Sequence, residues 1–276
     1  MGISVRESHL YCQGSAKIAE DGHIFRFPFA GVFDGVSGLY TDVPRTFKGR
    51  TGGQLASEIL RKTFERAEEK ESLLNVLKKA NLALKVCQGS EYTLLGPGHK
   101  LSAAFVALRI GDLNTEIIQG ADCLCVWEMK DGECGATPSQ TFDYEQRLRN
   151  IISSLMKEHR GNRQEMWKEL FPILARERKQ NVNSTYALIN GEDDFEKVAA
   201  TFSLETSRIK RLIIFSDGFV RFSWTEDPEY MAKKVLKLHR KGGLYSVLKS
   251  SRKTSGRERL RSHIDYPEAT AMELEF

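Results

Sequence analysis

Two apolar runs in this chain each end in Asp-Gly: Phe29 to Phe33 runs into Asp34-Gly35, and Leu212 to Ser216 into Asp217-Gly218. A buried strand that delivers a carboxylate to its own tip must satisfy that charge, and a hard divalent cation is the most direct partner. Asp-Gly is also the commonest two-residue hairpin turn, so each copy is read in its context. Asp131-Gly132 lies between Cys123–Met129 and Glu133-Cys134, segments close enough to pair, and reads as a plain hairpin. After Asp34-Gly35 come Val36, Ser37 and Gly38 and a polar stretch with no returning strand. After Asp217-Gly218 the chain passes through Phe219 and Phe222 into what reads as a helix entry. These two pairs are therefore candidates for metal ligation, while Asp21-Gly22 fits either reading.

A chain of 276 residues can bury a substantial core and is read as one large domain, residues 1–276. Its 41 basic and 37 acidic residues leave a formal charge of only +4, spread along the chain, which argues against the concentrated basic footprint of a nucleic-acid-binding protein. Even the densest runs, Lys233 to Lys241 and Arg252 to Arg261, read as solvated helix faces. Five cysteines, an odd number, suit a reducing compartment better than a disulfide framework. Cys123 and Cys125 are spaced to share one face of a strand, as small core residues rather than zinc ligands. No apolar run reaches the length of a membrane span, and Met1 to Glu7 carry no apolar signal segment, so the expected address is the cytoplasm with no membrane partner.

Apolar residues recur at helical spacing from Gly53 to Arg66 (Leu55, Ala56, Ile59, Leu60, Phe64) and from Glu71 to Val86 (Leu73, Leu74, Leu77, Leu84). This predicts two successive helices covering a sheet. The period then changes: Ser102–Ile110, Thr115–Gly120 and Cys123–Met129, joined by short turns, predict antiparallel strands. An amphipathic helical stretch runs from about Asp143 to Gln180, and Asn183–Asn190 and Ile209–Phe215 return to strand. Helices follow over Asp227–Leu238 and Leu244–Ser250, and Thr270–Phe276 closes the chain as a strand. Blocks of strands and helices, with strands far apart in sequence, predict an α+β fold of antiparallel sheets with helices outside.

Taken in chain order, the acidic residues are Glu20-Asp21, Asp34-Gly35, Asp122 in Gly120-Ala121-Asp122, Ser216-Asp217-Gly218, and Asp265 with Glu268 just before the last strand. This series resembles the metal-dependent Ser/Thr protein phosphatases of type 2C, over nearly the whole chain and in the right order. Ser216-Asp217-Gly218 is the most specific match and Phe33-Asp34-Gly35-Val36-Ser37-Gly38 the next. The resemblance implies a four-layer αββα sandwich of two antiparallel sheets flanked by helices. It implies that Asp34 bridges two ions, with the Gly35 carbonyl on one of them, Glu20 or Asp21 on one side, and Asp217 with a C-terminal acid on the other. The expected ions are Mn2+ or Mg2+, in keeping with oxygen donors and the absence of a His-rich or Cys-rich cluster. Two such ions about 3.5–4 Å apart can share a water, lower its pKa and hold phosphoryl oxygens for in-line attack. Asp34 and Asp217 are thus the expected catalytic residues.

Several positions depart from the family pattern. Val36 stands where eukaryotic members have His and bacterial-type members often Met, which points to the bacterial branch and to a water as the proton donor. Ala16 occupies the place of the phosphate-binding Arg, and Lys17 is the candidate substitute, as a point charge rather than a bidentate fork. Pro267 aligns with the terminal metal Asp, so Glu268 or Asp265 replaces it, Glu268 being preferred. Ala121 replaces the Gly of Gly-Asp and Arg221 an expected acid, which weighs against a third ion.

The reading this supports is hydrolysis of phosphoserine or phosphothreonine in proteins, by a chain expected to be monomeric. The alternative is a phosphatase-like binding or regulatory module with weak or lost catalysis, motivated by the missing Arg and the altered terminal motif. The helical stretch of about residues 143–180 falls where the family places a variable flap and is expected to shape the substrate cleft.

Overall fold

The computed structural model describes residues 4–14, 16–36, 46–47, 49–89, 100–160, 162–253 and 267–276. Its strands are β1 (Arg6–Cys12), β2 (Gly22–Arg26), β3 (Phe29–Gly35), β4 (Thr46–Phe47), β5 (Arg50–Thr51), β6 (Ala103–Ile110), β7 (Asn114–Gly120), β8 (Leu124–Met129), β9 (Cys134–Ala136), β10 (Ala200–Glu205), β11 (Ile209–Phe215) and β12 (Ala269–Glu275). Its helices are α1 (Gly52–Arg66), α2 (Leu73–Gln88), α3 (Phe142–Glu158), α4 (Arg163–Asn181), α5 (Phe195–Val198), α6 (Pro228–His239) and α7 (Gly243–Ser251).

Two antiparallel sheets of five strands, ordered β1-β12-β11-β8-β9 and β10-β7-β6-β3-β2, form the middle of an α+β sandwich. Side chains that alternate along each strand divide between two layers of core. On β3, Phe29 and Phe33 pack with Leu60 and Phe64 of α1 and Leu73, Leu77 and Leu84 of α2. Ala30 and Val32 face the other way and meet Leu212 and Ile214 of β11 and Met272 and Leu274 of β12 between the sheets. Ile213 and Phe215 of β11 turn outward against Met231, Val235 and Val247 of α6 and α7. The layers are therefore αββα, each buried face apolar at period two.

The predicted helices form with their ends set by identifiable caps. Thr51 closes a capping box with Gln54 at the start of α1, Ser72 accepts from the Asn75 N–H at the start of α2, and Asp227 caps α6. Below α6, Arg211 of β11 pairs with Glu273 of β12 at 2.9 Å, and His239 at the end of α6 contacts the same carboxylate at 2.9 Å, so a polar contact joins the helix to the sheet beside the apolar packing.

Besides the two-residue strands β4 and β5, three strands of the two main sheets escape the sequence reading: β1, β2 and β10 are sheet edges, and none of their residues is buried, so their apolar signal is weak. The predicted strand Asn183–Asn190 is instead an irregular segment with a single antiparallel bridge, Ala103 to Ile189. Side chains outcompete the ladder there: the Ala187 N–H donates to Gln140 Oε1 at 3.0 Å and the Leu188 N–H to Asn183 Oδ1 at 2.9 Å. Asn183 itself sits at φ 54°, in the left-handed region where Asn is tolerated.

The helical stretch predicted over about 143–180 is the pair α3 and α4, which pack on one another through their own cluster of Leu155, Met166, Leu170 and Leu174. Because that cluster is separate from the three sheet-bound ones, Leu170→Ala should leave the global unfolding midpoint nearly unchanged while raising hydrogen exchange across 142–181. Ile214→Ala, between the sheets, should cost about 2–5 kcal/mol of global stability in urea titrations. Equal shifts of the global midpoint by both variants would contradict this separation.

Candidate metal centre

Strand parity aims the two Asp-Gly carboxylates at one another. Asp34 is in phase with Ala30 and Val32, so its side chain leaves the end of β3 on the face between the sheets. Ser216 continues β11 in phase with Leu212 and Ile214, and its hydroxyl donates to Asp21 Oδ2 at 2.8 Å, which carries Asp21 into the same space. Asp217 follows in a single 3-10 turn, within hydrogen-bond reach of Asp34. Asp122 enters from the turn between β7 and β8. The turn uses Ala121 at φ 62°, the left-handed conformation for which glycine is favoured, with its N–H held by Gln140 Oε1 at 2.8 Å.

Neither Asp-Gly of the centre is a hairpin, and close backbone approach is the reason for each glycine. A Cβ on Gly35 would come within 2.5 Å of the Gly53 carbonyl group at the start of α1. A Cβ on Gly218 would run into the Glu268 carbonyl. Asp131-Gly132, by contrast, joins β8 to β9, which pair as predicted.

Burial, and then the charges of Asp21, Asp217, Asp122 and Glu268, push the Asp34 carboxyl well above the usual carboxylate range. Burial, and then the charge of Glu268, push Asp21 up to about 7. Burial, and then the charge of Glu145, push Asp217 up to about 6, although by surface it is the most exposed of the three acids it forms with Asp122 and Glu145. Burial followed by the charges of Asp217 and Glu145 raise Asp122. A set of oxygen donors that repel one another in this way fits hard divalent cations, whose charge would reverse every one of these shifts.

The expected residues do not all play equal parts. Asp21 and Asp34 converge with Asp217, whereas the Glu20 carboxylate is turned aside, accepting from the Thr51 hydroxyl at the α1 cap and lying over Gly53. Of the two alternatives at Glu20-Asp21, the structure therefore brings Asp21 to the cluster. The Gly35 backbone lies against the same strand start, its N–H donating to the Glu20 carbonyl at 3.3 Å. Glu268 accepts from the backbone N–H groups of Glu20 at 2.7 Å and Asp21 at 3.2 Å, clamping the strand start that presents Asp21. Asp265 lies outside the described residues. Lys17 is exposed in the loop before Glu20 and makes no ion pair among the described residues.

Sequence reasoning missed Glu145. This side chain comes from α3, and one oxygen each of Asp122, Glu145 and Asp217 lie within 4.8 Å of one another. Thr141 holds the arrangement, its hydroxyl 3.2 Å from Glu145 and 3.4 Å from Asp122. In the sequence Glu145 is one charge among many in an amphipathic stretch, and only its place three residues into the helix beside a buried turn distinguishes it.

No protein-family model and no curated protein matches the chain. Solved structures do resemble it over nearly its whole length. The catalytic domain of the serine/threonine protein phosphatase PstP in complex with two manganese ions matches at 14% identity and a TM-score of 0.54, over 98% of this chain and 97% of that one. The serine/threonine phosphatase Stp1 from Staphylococcus aureus matches at 11% identity and a TM-score of 0.57, over 100% and 96%. RsbX in complex with magnesium matches at 10% identity and a TM-score of 0.51, over 98% and 94%. The fold is that of the type 2C phosphatases. Within the type 2C phosphatase fold, the carboxylates above occupy the cleft between the ends of the two sheets.

Because the folded-state values of Asp21 and Asp217 are raised, the folded metal-free chain retains protons between about pH 4 and pH 7 that the unfolded chain has released. Stability from this source is greatest below that window and is lost as pH rises through it. In EDTA, the Tm of the wild type should therefore fall more steeply between about pH 5 and about pH 7.5 than that of Asp21→Asn. Parallel Tm profiles for the two chains would contradict the assigned repulsion.

Proposed function

We propose that the chain is a metal-dependent phosphoprotein phosphatase acting on phosphoserine and phosphothreonine, with residues 1–276 as one catalytic domain. The observation that carries this reading is the convergence of Asp21, Asp34 and Asp217 from the ends of two facing sheets, where burial raises all three and Asp34 also bears the charges of the other two. Asp34, Asp21, Asp217 and the Gly35 carbonyl would hold two ions, Mn2+ or Mg2+, and Asp122 with Glu145 and Asp217 would hold a further one. When bound, such ions supply an acidified water and a clamp on the phosphoryl oxygens.

The chain's own residues prepare that chemistry. Ser216 orients Asp21, Thr141 orients Glu145 and Asp122, and the Gly218 N–H holds Asp217, so the donors are positioned before any ion arrives. A thiol nucleophile is disfavoured, because Cys123 is buried and pushed upward by that burial and by the surrounding carboxylates, and Cys125 is buried in the same core. Val36 cannot give a proton to the leaving alkoxide, so that proton comes from water.

With Mn2+, the wild type should hydrolyse p-nitrophenyl phosphate and a phosphothreonine peptide. Asp34→Asn should lower kcat/KM by about two orders of magnitude or more while circular dichroism shows the fold retained. A folded wild type with no turnover under Mn2+ or Mg2+ would contradict the enzyme reading and favour a phosphatase-like binding module.

A further inference from the structure

The charge balance of the centre is incomplete without a fixed cation. Asp21, Asp34, Asp122, Glu145, Asp217 and Glu268 bring six carboxylates into one electrostatic neighbourhood. The three divalent ions proposed above would offset those six charges, and a phosphomonoester dianion would then add two of the wrong sign that no ion offsets. Ala16 supplies nothing, and Lys17 is exposed with no side chain holding it in place among the described residues.

One guanidinium is held beside the cluster. Phe142, Glu145 and Arg149 are spaced i, i+3 and i+7 on α3 and so share a helix face. Phe142 stacks on Phe222, rings 4.7 Å apart and 9° from parallel, which pins that face to the segment following Asp217. The Arg149 guanidinium lies over the Phe222 ring, 4.2 Å from its centroid, and Arg149 Nη2 is 3.6 Å from Glu145 Oε2. Glu145 is in turn within 4.8 Å of Asp122 and Asp217, which places the Arg149 guanidinium at the edge of the cluster. Among the described residues no hydrogen bond claims its N–H groups, and its side chain is 51% exposed, so the donors of a planar fork held beside Glu145 remain available to a ligand.

We infer that Arg149 is the substrate-binding arginine of this chain, its fork taking two oxygens of the phosphoryl group that enters beside Asp217. The inference rests on the phosphatase reading above and names the residue of α3 that recognises the phosphate. An arginine held on an aromatic face is preorganised, so little entropy is lost when it closes on a dianion.

The test uses the full chain loaded with Mn2+. Arg149→Ala should raise KM for a phosphothreonine peptide by about ten- to a hundredfold, the range for lost bonds to a charged partner, with kcat changed less than about threefold. Arg149→Lys should recover part of that loss, because it keeps the charge but not the fork. Arg147→Ala, which removes a charge from the same helix on a side chain paired with Glu177 at 4.0 Å, serves as the control. Calorimetry should show Mn2+ affinity unchanged in Arg149→Ala and inorganic phosphate affinity for the Mn2+-loaded chain reduced in the same proportion as KM is raised. A role confined to orienting Glu145 would do the reverse, shifting Mn2+ affinity and leaving KM alone, and would overturn the inference. Turnover that is indifferent to Arg149→Ala sinks this inference and spares the phosphatase reading. Phosphate binding that depends on Arg149 in a chain without turnover supports it and sinks that reading instead. A loaded wild type that binds no phosphate also overturns it.

Discussion

Repulsion among carboxylates that two apolar layers force together is the constraint on which the rest of this structure depends. The layer between the sheets, built from Ala30, Val32, Leu212, Ile214, Met272 and Leu274, is fully buried and apolar. Its strands cannot shift to separate the acids at their tips without opening that core. Asp34 and Asp217 are thereby held close at a cost in the metal-free state that shows as raised carboxyl pKa values. Hydrophobic burial provides the energy, and the acids provide the reason for a cation to bind.

Around that fixed pair the chain places parts that differ in how firmly they are held. Asp21 is tied at its carboxylate by Ser216 and at its backbone N–H by Glu268, so three distant stretches of sequence meet at one residue. Gly218 allows the Glu268 carbonyl to approach, which links the second Asp-Gly to the C-terminal strand. Glu145 and Arg149, by contrast, arrive on a helical hairpin with its own small core, joined to the main body by contacts such as the Phe142–Phe222 stack and Tyr144–Tyr186. The arrangement separates a floor of acids fixed to the two sheets from a helical wall that packs on its own core.

Much of this was legible in the residues because the informative features were local. Apolar runs ending in Asp-Gly announced strand tips, and apolar residues at helical spacing marked α1, α2 and α6. The edge strands β1, β2 and β10 were not legible, since an edge buries too little to impose a clear alternation. Asn183–Asn190 misled because its apolar residues are buried while its backbone N–H groups donate to the side chains of Gln140 and Asn183 rather than to a strand ladder. At Glu20-Asp21 the sequence left two carboxylates open, and only the fold, through Thr51 and Ser216, separates their directions. Glu145 was hidden for a different reason: its meaning comes from tertiary docking of α3 and not from any local pattern.

The central claim is that cations bind between the tips of the two inner strands, and diffraction measures it most directly. Crystals soaked in millimolar Mn2+ and recorded near the manganese absorption edge should give at least two anomalous peaks bounded by Asp21, Asp34 and Asp217. An ordered cleft with no anomalous density between those carboxylates would contradict the account.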